Sequence, residues 1–169
     1  MKILFLMLSL LGGLACQNKH ETESGKGVMT IHFAGKVVTY TDARFSEAKL
    51  GLIEGIVLNA GSSDADYLTL TLFGIQAGSY SYKQNVGDNR QVSQVDFRKD
   101  GKMFNNYFVK ICPDKSGYHS SVGKIEVTEY VRGERIKGTF SGALLDAHSE
   151  DECEPSSQAF SGEFDITVN

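Results

Sequence analysis

The chain lacks an excess of positive charge, a long hydrophobic run and any sign of a second domain. Its 17 basic and 21 acidic residues give a net charge of −4, so the sequence offers no general electrostatic attraction for nucleic acid. Its main apolar run, residues 3–15, is shorter than the roughly 20 residues that a membrane-spanning helix needs. With 22% charged and 10% aromatic residues among 169, the composition is that of one folded domain.

The motifs of common catalytic and cofactor-binding classes are also missing. The sequence has no C-x-x-C pair for redox chemistry, no H-x-x-x-H spacing for zinc, no G-x-S-x-G elbow and no glycine-rich phosphate loop. The histidines stand apart from one another, which favours surface or strand-edge positions over metal binding or acid–base catalysis. They are His20, His32, His119 and His148. We therefore expect no cofactor, no metal and no enzymatic activity.

The N-terminus has the features of a secretory signal peptide. Lys2 precedes a short apolar run, and small residues precede a cleavage point at Ala15-Cys16. This junction resembles the lipobox of bacterial lipoproteins, although Gly13 stands where that family usually has Leu. The resemblance implies that Cys16 receives a diacylglyceryl group and becomes the first residue. The alternative is ordinary cleavage after Ala15 without lipid attachment.

The number of cysteines favours the lipid-anchored interpretation. The three are Cys16, Cys112 and Cys153. Lipid on Cys16 leaves an even pair, whereas ordinary cleavage leaves an odd thiol in an oxidising compartment. The expected organisation is a signal peptide over residues 1–15, a lipidated flexible tether over 16–27 and a single β-domain over 28–169. We expect an exported protein held by its anchor at a bacterial cell-envelope membrane, with the outer membrane as the expected location.

Cys112 and Cys153 form the expected disulfide. Pro113 follows the first directly and Pro155 lies two residues after the second, which places both cysteines at strand ends or in loops. Their bond would close a loop of about 40 residues, worth roughly 4 kcal/mol on the chain-entropy account. A redox-active pair is the alternative, and the missing C-x-x-C argues against it.

Alternation of apolar and polar residues is the dominant pattern of the mature chain. It predicts an all-β domain, an antiparallel sandwich or flattened barrel of about 8 to 10 strands. One short helix is the most that the pattern allows, around residues 43–50, and glycine or Asx turns separate most strands. The predicted strands are 28–33, 36–41, 50–58, 67–72, 79–83, 91–98, 107–111, 124–131, 136–144 and 160–168.

Glycines inside the last two predicted strands need a structural reason, because glycine weakens a strand. Gly138 and Gly142 share a face with Phe140, and Gly162 lies between Phe160 and Phe164. An antiparallel partner can lay a phenylalanine ring over a facing glycine. We therefore predict that the two strands are near neighbours and pack in this way. The alternative is that the glycines mark bulges.

The same segments resemble a pattern in small lipoproteins of the Bacteroidota. That family has a G-x-I-x-I-T strand, an I-x-G-T-F-S-F strand and a closing G-x-F-x-V strand. The corresponding segments here are 123–128 (GKIEVT), 136–142 (IKGTFSG) and 161–166 (SGEFDI), with 77–80 (AGSY) similar to a further G-x-Y element. The family has no assigned activity. The resemblance implies an exported, lipid-anchored β-domain and carries over no functional residue.

An acidic run near the C-terminus is a candidate cation site. Residues 146–154 (DAHSEDECE) are rich in the carboxylates that Ca²⁺ prefers. The candidate ligands are Asp146, His148, Glu150 and Asp151. The spacing matches no calcium loop, so a solvated loop is the simpler interpretation.

Tyr80 and Tyr82 are candidate binding residues, because they share one face of a predicted strand. Exposed tyrosines can form a platform for sugars or proteins. The simpler interpretation is that the two rings cover the rim of the core.

Together these features predict a lipid-anchored cell-envelope protein that acts as a non-enzymatic binding or structural module, with a protein or glycan as partner. One alternative is a β-barrel carrier of a small apolar ligand, which needs interior space that large Phe and Leu side chains can equally fill. The other is a hydrolase of an envelope polymer. It needs convergent acids or a nucleophile in a cleft.

Overall fold

The computed structural model describes residues 26–50, 52–62, 66–82, 93–112, 115–120, 122–149 and 156–168, with the backbone alone for 107–112 and 115–120. Within these ranges all regular secondary structure is β-strand, and no helix able to cross a membrane is found. The strands are β1 (Lys26–Phe33), β2 (Lys36–Leu50), β3 (Ile53–Gly61), β4 (Tyr67–Leu72), β5 (Gly78–Ser81), β6 (Gln94–Lys99), β7 (Lys102–Asn105), β8 (Tyr107–Cys112), β9 (Lys115–Ser120), β10 (Gly123–Val131), β11 (Arg135–Asp146) and β12 (Ser157–Thr167).

Eight antiparallel strands close into a barrel. The order around it is β12, β1, β2, β3, β4, β6, β7 and β11, and β11 pairs again with β12. The all-β antiparallel prediction is confirmed, and closure leaves these eight strands without an open edge. β1 begins at Lys26, two residues before the predicted start of the domain.

Strand β2 pairs with both β1 and β3, and its second half lies where a helix was predicted. Its first half pairs with β1, and its second half, from Arg44 to Leu50, pairs with β3. The short helix predicted around residues 43–50 is wrong, because these residues continue the strand. Ala43 and Phe45 face the core, so burial and ladder hydrogen bonds outweigh local helix preference here.

The barrel interior is filled by side chains from alternate strand positions. On β4, Leu68, Leu70 and Leu72 are fully buried, while the residues between them are half-buried. Met29 and Ile31 of β1 repeat the pattern. This is the one-face-in arrangement that the period of two predicts.

The predicted glycine–phenylalanine packing is confirmed. β11 and β12 are direct antiparallel partners, with Phe140 opposite Gly162 and Gly138 opposite Phe164. A Cβ atom on Gly162 would meet Cε2 of Phe140 at 2.6 Å, and one on Gly138 would meet Cζ of Phe164 at 2.6 Å. Each ring therefore occupies the space that a side chain at the facing glycine would need. The rings of Phe140 and Phe164 also stack, with centroids 6.5 Å apart.

Two further pairs of strands lie outside the ring of eight. β10 pairs with β11 and carries β5 at its other edge. The end of β10 is tied to β2, because the Tyr130 hydroxyl donates to Oε1 of Glu47 at 2.6 Å and Arg132 contacts the same carboxylate at 2.8 Å. β8 and β9 form a separate two-stranded sheet. The sequence did not predict β7 or β9.

Candidate functional site

Of the three cysteines predicted to carry a lipid or form a disulfide, one lies within the described residues. Cys112 is the last residue of β8. Cys16 and Cys153 lie outside the described residues. The lipid anchor and the disulfide therefore stay predictions.

Four of the nine residues of the acidic run, 146–149, fall within the described residues. Asp146 ends β11, and its Oδ1 accepts a hydrogen bond of 2.8 Å from the backbone N–H of His148. Glu150 and Asp151 lie outside the described ranges. Among the described residues, no group of three or more His, Cys, Asp or Glu side chains is placed to hold a metal ion.

The two candidate tyrosines lie in the wall of the fold. Tyr82 is fully buried, and its ring stacks on Phe160 with centroids 6.3 Å apart. Tyr80 is half-buried and its hydroxyl donates to the backbone oxygen of Gln76 at 2.6 Å. Both positions fit the interpretation that the rings cover the core.

The Tyr82 hydroxyl gives a test of this packing. It is buried without a hydrogen-bond partner among the described residues, and burial raises the pKa of the Tyr82 phenol. Tyr82→Phe is expected to raise the free energy of unfolding by about 1 kcal/mol, because it removes an unsatisfied polar group. Tyr80→Phe is the matched control and is expected to lower it, because that hydroxyl is bonded. Urea denaturation of both variants checks the opposite signs. Destabilisation by Tyr82→Phe would show that its hydroxyl has a partner.

A polar cleft with a volume of about 810 Å³ lies on the outer face of β2, β3, β4 and β6. Its wall combines carboxylates, guanidinium groups, an amide and a phenol. The side chains that carry this chemistry are Asp42, Arg44, Asn59, Tyr67, Asp96 and Arg98.

Strand register aligns four of the cleft residues in one row. Arg44 lies opposite Asn59, Asn59 opposite Thr69, and Thr69 opposite Asp96. The Thr69 hydroxyl donates to Oδ1 of Asn59 at 3.0 Å. Directly opposite residues on one face of a sheet lie within side-chain contact of each other, so the row presents a continuous strip of donors and acceptors.

Asp96 is the unusual member of this row. It is half-buried and forms no hydrogen bond or ion pair with any described residue. Burial raises the pKa of its carboxyl group. Arg44, at the other end of the row, is exposed and likewise has no partner among the residues described. An acceptor and a donor group are therefore both open towards the cleft.

The rim of the cleft is held by local hydrogen bonds. Oδ1 of Asp42 accepts from the backbone N–H of Gly61 at 3.1 Å, at a residue whose φ of +80° suits glycine. The carboxylate of Asp66 binds Lys99 and accepts from the Asp100 N–H at 2.9 Å, which ties the β3–β4 connection to the β6–β7 turn. The first contact joins two residues that line the cleft, and Asp66 directly precedes a third, Tyr67.

The effect of the half-buried Asp96 carboxylate on the free energy of unfolding can be measured. Asp96→Asn is expected to raise the free energy of unfolding at pH 7 by about 1 kcal/mol. Because the folded pKa lies above the unfolded one, Asp96 favours the fold in its protonated form, and this contribution is lost as the pH rises through the folded pKa. The gain from Asn should therefore shrink towards pH 4. Urea denaturation at both pH values tests this, with exposed Glu163→Gln as control. An equal gain at both pH values would contradict the charge explanation.

Sequence reasoning did not identify this cleft. Thr69 and Asp96 fell within predicted strands, but Arg44 fell within the segment predicted to be helical. Nothing in the sequence shows which outward positions of separate strands come into one row. Comparison of the chain with family models, curated proteins and solved structures finds no match.

Proposed function

We propose that this protein is a lipid-anchored, non-enzymatic binding module of the cell envelope, and that its outer-face cleft binds an uncharged saccharide. The observation that carries the proposal is the row from Arg44 to Asp96, which ends in a half-buried carboxylate that has no partner among the described residues. A buried polar group without a partner costs stability. Such a group at the wall of a cleft is typical of a binding site that is completed by its ligand.

The balance of charges favours a neutral ligand with many hydroxyl groups. Asp42 and Asp96 are matched by Arg44 and Arg98 in the same cleft, so neither sign dominates. Each sugar hydroxyl is both a donor and an acceptor, and therefore suits a wall where carboxylates, guanidinium groups and an amide lie side by side. Tyr67 adds a ring at the same wall, which supplies apolar contact.

The anchor is the second part of the proposal. Lipid on Cys16 would leave about ten residues before β1 begins at Lys26, and a flexible coil of that length reaches roughly 17 Å on average. The domain would then lie close to the membrane surface. An intact mass of the protein purified from its membrane fraction tests this. A chain starting at Cys16 with added diacylglyceryl and fatty acyl groups is expected, and a bare chain would contradict the anchor.

A hydrolase of an envelope polymer is the second candidate, because Asp42 and Asp96 share one cleft in different environments. Asp42 is exposed and bonded to a backbone N–H, whereas burial raises the pKa of Asp96. A carboxyl group whose pKa is raised by burial can act as a general acid in hydrolysis, beside a second carboxylate in the same cleft. Release of shorter saccharides from a bound oligosaccharide would favour this candidate over simple binding.

Binding of a panel of neutral oligosaccharides to the purified protein tests the cleft. Asp96→Asn and Arg44→Ala are expected to weaken the tightest interaction about tenfold each, because each removes a charged hydrogen-bonding group. Glu163→Gln, an exposed carboxylate change on β12, should leave the affinity unchanged. Binding that survives both cleft substitutions, or no binding across the panel, would contradict the proposal.

A further inference from the structure

Two tight hairpins flank a small depression at one end of the barrel. Ala34-Gly35 joins β1 to β2, and Asp100-Gly101 joins β6 to β7. The φ angles are +51° and +74° in the first turn and +52° and +78° in the second. Positive φ at both central residues is the pattern of type I′ turns, which hold the flanking strands in tight register. The residues on each side of these turns are therefore rigidly placed.

Three phenylalanine rings form the apolar lining of the depression. Phe33 packs against Phe104 with centroids 4.7 Å apart and against Phe97 at 5.2 Å. Phe97 is fully buried, whereas Phe33 and Phe104 each keep 8% of their surface exposed. The pocket above them, which we call the barrel mouth, has a volume of about 300 Å³ and is also lined by Val38.

Lysines surround the barrel mouth. Lys36 and Lys102 directly follow the two turns, are exposed and make no ion pair with any residue that the structure describes. Lys99 also lines the pocket, but its ammonium group is bound to Asp66 and lies 3.5 Å from Asp100. Two cationic groups are thus open at the edge of an aromatic pocket.

We propose that the barrel mouth binds a small anionic amphiphile, with its alkyl chain against Val38 and the exposed edges of Phe33 and Phe104, and its carboxylate or phosphate beside Lys36 and Lys102. Contact with these apolar side chains removes apolar surface from water, and the lysines supply charge complementarity. A volume of about 300 Å³ is at the lower end of the range for ligand pockets, which suits one alkyl chain.

The barrel mouth is independent of the saccharide cleft. On β6, Phe97 and Lys99 line the mouth, whereas Asp96 and Arg98 line the cleft. Alternate residues of a strand point to opposite faces, so the two sites can be changed separately. The mouth also lies at the end of β1 opposite Lys26, and a strand of eight residues places these ends about 25 Å apart. An anchored domain would present it away from the point where the tether enters.

Calorimetric titration with dodecanoate below its micelle concentration tests the proposal. Cys16→Ser in the full chain prevents lipid attachment and keeps acyl groups of the anchor out of the assay. We expect saturable binding at one site, and a loss of affinity of about tenfold in the double variant Lys36→Glu/Lys102→Glu. Lys26→Glu, at the opposite end of β1, is the matched control and should bind as the parent does. Val38→Trp should weaken binding by filling the pocket.

Dodecyltrimethylammonium, with the same chain and the opposite charge, separates specific binding from general adsorption. It is expected to bind at least tenfold more weakly than dodecanoate. Equal binding of the two amphiphiles, equal binding by the lysine double variant and the Lys26→Glu control, or no saturable heat would each overturn the proposal. Circular dichroism checks that each variant is folded. If Val38→Trp does not fold, the test rests on Lys36→Glu/Lys102→Glu, because these exposed residues lie next to the turns.

Discussion

Gly162→Ala is expected to lower the free energy of unfolding by about 3 kcal/mol, because the added methyl group has no space on either side of β12. A Cβ at this position would meet Cε2 of Phe140 at 2.6 Å and would press on the backbone oxygen of Thr30 on β1. Ring rotation can relieve the first contact, but the second involves the ladder between β1 and β12. The two contacts strain the packing of β12 against β11 on one side and β1 on the other. Urea denaturation of the variant measures the loss.

Two controls separate the ring contact from a general effect of substitution on β12. Ser161→Ala changes the neighbouring exposed residue and should alter stability by less than about 0.5 kcal/mol. Phe140→Leu combined with Gly162→Ala should restore part of the loss, which a double-mutant cycle reports as coupling. A Gly162→Ala variant as stable as the parent, or a cycle without coupling, would contradict the packing.

Reduction of the predicted Cys112–Cys153 disulfide is expected to lower the free energy of unfolding by about 4 kcal/mol, because the bond closes a loop of about 40 residues. Cys112 ends β8 in the separate β8–β9 sheet, and Cys153 belongs to the chain between β11 and β12. A two-stranded sheet is marginally stable by itself, so a covalent link would also hold it against the barrel. Guanidinium denaturation with and without reductant checks the size of the effect.

Removing both sulfur atoms supplies the control for the reductant. A Cys112→Ser/Cys153→Ser variant should be as unstable as the reduced parent and should not respond to reductant. Alkylation before and after reduction, read by intact mass, counts the free thiols. Free thiols at both positions before reduction would show that the disulfide is absent.

The parts of the fold that were predicted from sequence are those where burial alone sets the pattern. β4 begins and ends where the alternation of Tyr67–Leu72 indicated. The β11–β12 pairing followed from the spacing of glycine and phenylalanine, because a ring and a missing side chain complement each other across two strands. Sequence alone did not decide between a sandwich and a barrel, since closure depends on which strands meet at the seam.

The missed strands have weak local signals. β7 has four residues, of which Phe104 is the buried one, and β9 (KSGYHS) shows no apolar alternation. β7 is specified by its partners, because it is needed to bridge β6 to β11. Such tertiary requirements are not visible within a short window of sequence.

The candidate site was less predictable than the fold. Tyr80 and Tyr82 were candidates because they are aromatic, but the burial of Tyr82 depends on Phe160, which is distant in sequence. The cleft depends on the register of four strands, which brings Arg44 and Asp96 into one row although 52 positions separate them. Only the assembled sheet shows that these groups share a concave surface.

Amide-shift mapping tests directly whether a saccharide binds in the cleft. The saccharide that binds most tightly in the panel is titrated into the ¹⁵N-labelled protein. We expect saturable shifts at the amides of Arg44, Asn59 and Asp96, no shifts at β12 amides, and loss of the response in Asp96→Asn. Shifts centred on another face of the barrel, or no shift with any saccharide of the panel, would contradict it.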